Sequence, residues 1–280
     1  MAAIKAAKLG LKTAIIEERR AGGTCLNRGC IPAKAMIHAS SLYREMQEAE
    51  RFGISASDVT YDYGKIVAYK EETTDKLVQG AEQLLKANGV DVYDGKGTLL
   101  EEKKVRIRKE QEDVVLEGEN IILASGSKPL ILPIPGMDSE RVLTSDALFA
   151  MKEAPKSLII IGGGVISVEF ATVYANLGCK ITILEAMPKL VPNMDKEISQ
   201  NLKMILKKRG IDIHTSAAVQ GVTTENGTCT CHYIEKDQEQ EVTADYVFVR
   251  GWTLPEHRWF VWGKCKTRYG ARPCAGECKL

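Results

Sequence analysis

Aromatic residues are scarce in this 280-residue chain: five Phe, three Trp and nine Tyr make up 6% of it. Proline is sparse at nine residues, and 24 Gly fall well short of a collagenous or low-complexity composition. Net charge is almost absent, formally +1, which removes any polyelectrolyte attraction to nucleic acid or to an anionic membrane. Long apolar runs are missing too. The N-terminal stretch MAAIKAAKLGLKTAIIEE interleaves Lys5, Lys8 and Lys12 with its apolar residues, unlike a signal peptide. The most apolar region, Ser157 to Gly178, is interrupted by glycine, serine and Glu169, and reads as strand, turn and helix rather than a membrane span. Eight Cys are too few for a secreted disulfide framework, so a cytoplasmic location is expected.

What is present is ordinary globular material, 44% hydrophobic and 27% charged, long enough for two domains with their own cores. Charge is uneven along it. Residues 250–280 carry seven basic and two acidic side chains, all three Trp and three Cys, whereas the preceding residues are slightly acidic. That tail reads as different material.

Residues 2–9 have the pattern of an amphipathic helix stopped by Gly10, followed by an apolar strand in LKTAIIE that ends in an acid. Helix then strand is the second half of a βαβ unit, and a glycine-rich turn is expected before it. Helical patterns follow around Met36 to Arg51 and Tyr63 to Ala87, then strand-like VDVYDG, KVRIR and NIILASG, then the turn-forming LPIPG. A fresh unit opens after MKEAPKS: strand SLIII, turn GGG, helix VEFATVYANLG and strand KITILE. A domain boundary is expected near residue 150, giving an α/β protein with domains 1–149 and 150–249 and an unmatched tail, 250–280.

Gly162, Gly164 and Ser167 form G-x-G-x-x-S directly between that strand and helix. The first glycine permits a tight turn, the second lets a pyrophosphate approach the backbone, and the third position wants a small side chain for helix–strand packing. Glu185 ends the next strand, 23 residues after Gly162, where a carboxylate can bond both ribose hydroxyls of an adenosine. NAD is therefore expected over NADP, whose 2′-phosphate Glu185 would repel and for which only Lys189 is near.

Cys25 and Cys30 enclose LNRG. On one regular helix their Cα atoms would be about 8.6 Å apart, beyond the roughly 4.4–6.8 Å of a disulfide. Bridging them requires an irregular turn, for which Gly29 and Pro32 are suited, with Pro32 opening the next helix. A helix start lowers a thiol pKa and favours a reactive thiolate. From spacing alone, a redox pair, a zinc site and two inert cysteines all stay open.

The whole string GGTCLNRGCIPAK, from Gly22 to Lys34, resembles the active-site signature of the flavin-dependent pyridine nucleotide-disulfide oxidoreductases, and within them the dihydrolipoyl dehydrogenase branch. TAIIE, ASGSKP, LPIPG, TSDALF and GGGVISVEFATVYANLG followed by ITILE agree in order, so the resemblance covers about residues 2–249. It implies two dinucleotide-binding Rossmann-like domains, the first for FAD and the second for NAD. Glu17 would bind the FAD ribose, Gly23 and Thr24 its pyrophosphate, and Gly97, Ser125 and Gly126 its adenosine side. Cys25 would attack the substrate disulfide, Cys30 would lie against the flavin, and Lys34 would approach flavin N5 while paired with Glu169. A lysine buried there without a partner would be costly. Gly162, Gly163, Gly164, Ser167, Glu185 and Val219 would bind NAD. Reduced lipoamide on an acyltransferase of a 2-oxo acid dehydrogenase or glycine cleavage complex would pass two electrons through the Cys25/Cys30 disulfide to FAD, then as hydride to NAD.

Against the family pattern, the chain is expected to be incomplete at both ends: the FAD glycine turn before Met1, the flavin-binding segment after Val249 and the dimerisation domain of the family homodimer are missing. No residue is assigned as general base, and His257 in the tail is not promoted to it. The tail suggests a shifted reading frame or truncated gene; a zinc site from Cys265, Cys274 and Cys278 has no accepted spacing, and no metal is expected. Two alternatives stand: a glutathione or mercuric reductase-like member, disfavoured by Glu185, and a nucleotide-binding fragment without turnover.

Overall fold

A computed structural model describes residues 1–101, 103–108, 113–129 and 132–249, together with the backbone of strand Thr253–Pro255. His257, Cys265, Cys274 and Cys278 lie outside the described residues. The chain groups into two compact units. One holds Met1–Gly23 and Leu77–Lys128, the other Thr24–Lys76 and Pro129–Thr253.

The larger unit is built on a five-stranded parallel sheet in the order Asp212–Thr215, Lys180–Glu185, Ser157–Ile161, Tyr246–Val249, Val142–Leu143. Its central strands are near-continuous apolar runs because both faces are covered. The two-residue period of a strand then divides them between two cores. Leu158, Ile160, Ile181, Ile183 and Phe248 point to the helices, among Phe170, Tyr174 and Leu206. Ile159, Ile161, Leu184, Val247 and Val249 point the other way, to Val222, Cys229, Cys231 and Tyr233 of an antiparallel sheet. That sheet comprises Ala217–Glu225, Thr228–Glu235 and Gln238–Ala244.

Helix Val165–Asn176 is apolar nearly all round, as expected of a helix buried on two sides. One side meets the sheet, and the helix Cys30–Gln47 covers another through Ala33 and Met36 in the same core. Tyr63, at the start of helix Tyr63–Ala87, shares a hydroxyl hydrogen bond of 3.1 Å with the buried Tyr174. Arg44 adds a bond to Asn176 at 3.5 Å.

In the smaller unit, strand Ala14–Glu17 pairs in parallel with Asp91–Asp94. Helix Ala2–Lys8 packs through Ile4 on Ala21, Leu85 and Val90, and Gly10 follows it with a left-handed φ of 83°. Lys96–Leu99, Lys104–Arg108 and Val114–Glu117 form an antiparallel sheet. The expected strand NIILASG does not form: residues 121–126 carry no regular structure. An apolar strand needs a neighbour to satisfy its backbone, and none pairs with this segment among the described residues, leaving Ile122 75% exposed. No helix among the described residues is long and apolar enough to cross a membrane.

The LPIPG connection docks edge-on against the antiparallel sheet, with Pro135 O accepting from Val222 N at 2.9 Å. Gly136 is left-handed (φ 82°), and a Cβ there would lie 1.8 Å from Val222 O. Gly210 has nearly the same φ, 81°, in open space. Gly210→Ala is thus expected to cost about 1–2 kcal/mol of unfolding free energy from backbone strain alone. Gly136→Ala adds a collision with fixed backbone and is expected to exceed about 3 kcal/mol. Urea unfolding of both variants checks the pair; equal losses would refute the docking role of Gly136.

Candidate active site

Two short stretches of helix meet at the cysteines. Cys25 lies in helix Gly23–Arg28 and Cys30 is the first residue of helix Cys30–Gln47, so the pair straddles a break rather than one regular helix. Gly29 makes the break: its backbone (φ −142°, ψ −111°) is not helical, and a Cβ would lie 3.1 Å from Thr24 O and 3.2 Å from Cys25 Cα. Any side chain at residue 29 would push the first helix off the second. The second helix begins two residues earlier than expected, at Cys30, with Pro32 buried in its first turn, where its missing N–H costs nothing. Gly23 has φ 70° and open space where a side chain would point.

Both thiols are free and exposed. The Cys25 side chain raises the Cys30 pKa above the ordinary thiol value, with a smaller increase from desolvation; Lys34 pulls the other way. The expectation that the helix start would lower this thiol is therefore corrected: the neighbouring sulfur outweighs the ammonium.

Lys34 lies one helical turn beyond Cys30, and its Nζ donates to Glu169 Oε1 at 2.5 Å across 135 residues. The pairing is as expected, but the burial is not, since the Lys34 side chain is 60% exposed and that of Glu169 20%. Desolvation therefore does not enforce the pair. Glu169 raises the Lys34 pKa, so the lysine stays charged beside the thiols.

The glycine turn precedes Glu169's helix. Gly162 is left-handed (φ 98°) and its N–H donates to Leu184 O at 2.8 Å. Gly164 caps the helix, and a Cβ on it would meet nothing within 4 Å, the open approach that a phosphate needs. Ser167 is fully buried, and its hydroxyl has no partner among the described residues. Glu185 faces the turn: Gly163 N donates to its Oε2 and Met187 N to its Oε1 at 2.6 Å. The Glu185 carboxylate is thus already held by backbone, 7% exposed, with lone pairs left over. Lys189 Nζ is engaged by Met194 O at 2.5 Å. Val219 lies half-buried against the antiparallel-side core, at a register shift before Gly221.

Sequence reasoning did not find the clamp on this turn. A Cβ on Gly163 would lie 2.5 Å from Leu190 Cδ2 and 3.1 Å from the Glu185 carboxylate, so both side chains would have to shift. Val191 N donates to Gly163 O at 2.9 Å from a left-handed backbone (φ 42°) that a β-branched residue rarely adopts. Only long-range packing imposes such a conformation, so no local pattern signals it.

In the smaller unit, Glu17 ends its strand with Oε1 accepting from Arg19 N at 3.0 Å. Gly97 lets the antiparallel sheet lie on that strand, its Cβ position 3.2 Å from Ile16 Cγ2. Ser125 is half-buried and Gly126 left-handed (φ 78°) in the irregular segment. Among the described residues, no group of three or more His, Cys, Asp or Glu could hold a metal ion.

The family described as pyridine nucleotide-disulphide oxidoreductase matches residues 1–272. The chain belongs to that family. It is 40% identical over 250 residues to a dihydrolipoyl dehydrogenase of Bacillus subtilis, covering 89% of this chain and 53% of that protein. A dihydrolipoyl dehydrogenase of Acholeplasma laidlawii is 41% identical over 254 residues, covering 89% and 73%. Among solved structures, the Cu(II) complex of the HOCl-induced flavoprotein disulfide reductase RclA from Escherichia coli superposes with a TM-score of 0.79 at 29% identity, over 92% of this chain and 55% of that one. The chain spans about half the length of several curated relatives that it matches.

The residues present fit the cofactors of this oxidoreductase family. An open glycine cap with a poised carboxylate suits a dinucleotide, and an exposed ammonium held beside two thiols suits a flavin ring that gains negative charge on reduction. Because Glu169 lifts the Lys34 pKa above the ordinary 10.5, the ion pair contributes fully below that value and is lost as pH rises through the raised one. The stability gap between the native chain and Glu169→Gln is therefore expected to stay flat from neutral pH to about 10 and to narrow above it. Urea unfolding across that range measures it, and a gap that grows with pH would contradict the assignment.

Proposed function

We propose that this oxidoreductase is a cytoplasmic dihydrolipoyl dehydrogenase that oxidises dihydrolipoamide by way of a Cys25/Cys30 disulfide. The observation that carries this reading is the cluster of Cys25, Cys30, Lys34 and Glu169, with both thiols free and exposed and Lys34 paired to Glu169. The flavin of FAD would supply an acceptor for the electron pair, and NAD would supply the hydride acceptor. Cys25, on the short outer helix, is the thiol that a bulky disulfide or dithiol meets first, and Cys30 is the one beside Lys34. Lys34, kept protonated by Glu169, offers a fixed positive charge where a reduced flavin carries negative charge. Glu17, Gly23, Thr24, Gly97, Ser125 and Gly126 would hold FAD in domain 1–149. Gly162, Gly163, Gly164, Ser167, Glu185 and Val219 would hold NAD in domain 150–249.

The substrate side follows from similarity to relatives that carry this name. On it, the partner is a lipoyl-bearing acyltransferase of a 2-oxo acid dehydrogenase or glycine cleavage complex, and the working form is a homodimer. Segment 121–126, largely exposed and unpaired among the described residues, favours a second reading, a chain that binds nucleotide without turnover.

Purified protein should show flavin absorbance and NADH-dependent reduction of lipoamide. Cys25→Ser and Cys30→Ser are each expected to lower the latter by at least about 10³-fold, the scale of removing a nucleophile. Colourless protein without that activity would overturn the enzyme reading. Gly164→Ala places a methyl in open space and should fold normally, yet bind NADH at least about tenfold more weakly. Calorimetric titration with NADH tests this, and unchanged affinity would remove the glycine turn from the binding site.

A further inference from the structure

The two cysteines are anchored unequally. Helix Cys30–Gln47 buries Pro32, Ala33, Ala35, Met36 and Ser40, so Cys30 starts from a fixed element. Helix Gly23–Arg28 has six residues and buries none. A helix that short is not stable by itself, and without core contacts it depends on ties to its surroundings for the position of Cys25. One such tie spans 118 residues: Arg28 Nη1 donates to Asp146 Oδ2 at 2.9 Å.

Asp146 stands on firm ground. It belongs to helix Ser145–Phe149, which is capped by Thr144, with Oγ1 accepting from Ala147 N at 3.5 Å. Leu148 and Phe149 of this helix are buried in the main core. Their carbonyls accept from the Tyr174 hydroxyl at 3.3 Å and from Lys70 Nζ at 2.7 Å. Arg28 therefore connects the loosely held thiol helix to an element fixed on the same core that anchors Cys30.

We propose that Arg28 and Asp146 are a positioning pair that holds Cys25 against Cys30 and thereby sets the dithiol–disulfide equilibrium of the site. The proposal rests on the reading of these cysteines as a redox pair. Neither residue touches the reacting sulfurs through a bond of its own. They act through the geometry of helix Gly23–Arg28: the better Cys25 is held at bonding distance, the more stable is the disulfide relative to the two thiols. Removing the tie makes the disulfide easier to reduce. The side chains of Arg28 and Asp146 are 36% and 42% exposed, which limits the effect to that of a partly solvated ion pair, about two- to fivefold in the equilibrium constant.

The test equilibrates the full chain with mixtures of glutathione and glutathione disulfide. Reducing one Cys25–Cys30 disulfide to two thiols oxidises two glutathione thiols to one glutathione disulfide, and peptide-resolved alkylation reads the fraction reduced. Arg28→Ala and Asp146→Ala are each expected to shift the equilibrium two- to fivefold toward the dithiol, and the double variant no further than either single one. Arg28→Lys, which keeps the charge but not the guanidinium fork, should fall between native and Arg28→Ala, and serves alone where the alanine variants fail to melt cooperatively. Native-like equilibria in the single variants, or simple addition in the double, would overturn the proposal. So would shifts of opposite sign for Arg28→Ala and Asp146→Ala, the mark of a direct charge effect of Arg28 on the thiols. A native chain whose Cys25 and Cys30 never form a mutual disulfide overturns the redox reading and this proposal together, an outcome distinct from the others.

Discussion

The larger unit depends on one helix being buried on two sides. Val165–Asn176 lies on the parallel sheet through residues such as Phe170 and Tyr174, and it carries the cysteine helix through Glu169 and Asn176. An amphipathic surface helix could do only the first. Because this helix is apolar nearly all round, with Glu169 set into its second turn, it begins at the glycine turn and ends beneath the helix of Cys30. A glycine turn and a thiol pair are thus placed on one rigid scaffold, although residues 30–47 and 165–176 are far apart in the chain. Rigid elements hold reacting groups more accurately than loops do.

The parts that were legible in the sequence are those governed by short-range rules. Period-3.6 and period-2 patterns locate the helices at Tyr63 and Val165 and the strands at Ser157 and Lys180, and glycine with a following acid locates Gly162 and Glu185. The Cys25/Cys30 spacing correctly demands an irregular turn, and Gly29 supplies it through its close approach to Thr24. What was not legible depends on partners distant in sequence. NIILASG has the composition of a strand, but pairing is a property of neighbours, and residues 121–126 have none among the described residues. Val191 has no local reason to be left-handed; its backbone is bent by the demand of Gly163 O for a donor and by the burial of Leu190. The burial assumed for Lys34 failed for a related reason, since exposure is set by how helices stack rather than by residue type.

The direction of the Cys30 pKa follows from the same geometry. A helix N-terminus and a lysine one turn away both favour a thiolate, and each would lower the pKa of an isolated cysteine. Here a second sulfur is close enough to hydrogen-bond, and its effect is larger. A raised Cys30 therefore reflects the neighbouring sulfur rather than an inert, buried thiol. The contrast with Cys179 and Cys231 supports this, because burial, with smaller charge effects of Asp245 and Cys229, pushes those two up to about 12 and they are closed off from solvent. Cys30 is raised while exposed, so its proton can still be exchanged. The protonated Lys34, one turn from Cys30 on the same helix, pulls the Cys30 pKa down without overcoming that rise. In this way Glu169, which touches neither thiol, biases the pair by fixing where the lysine's charge resides.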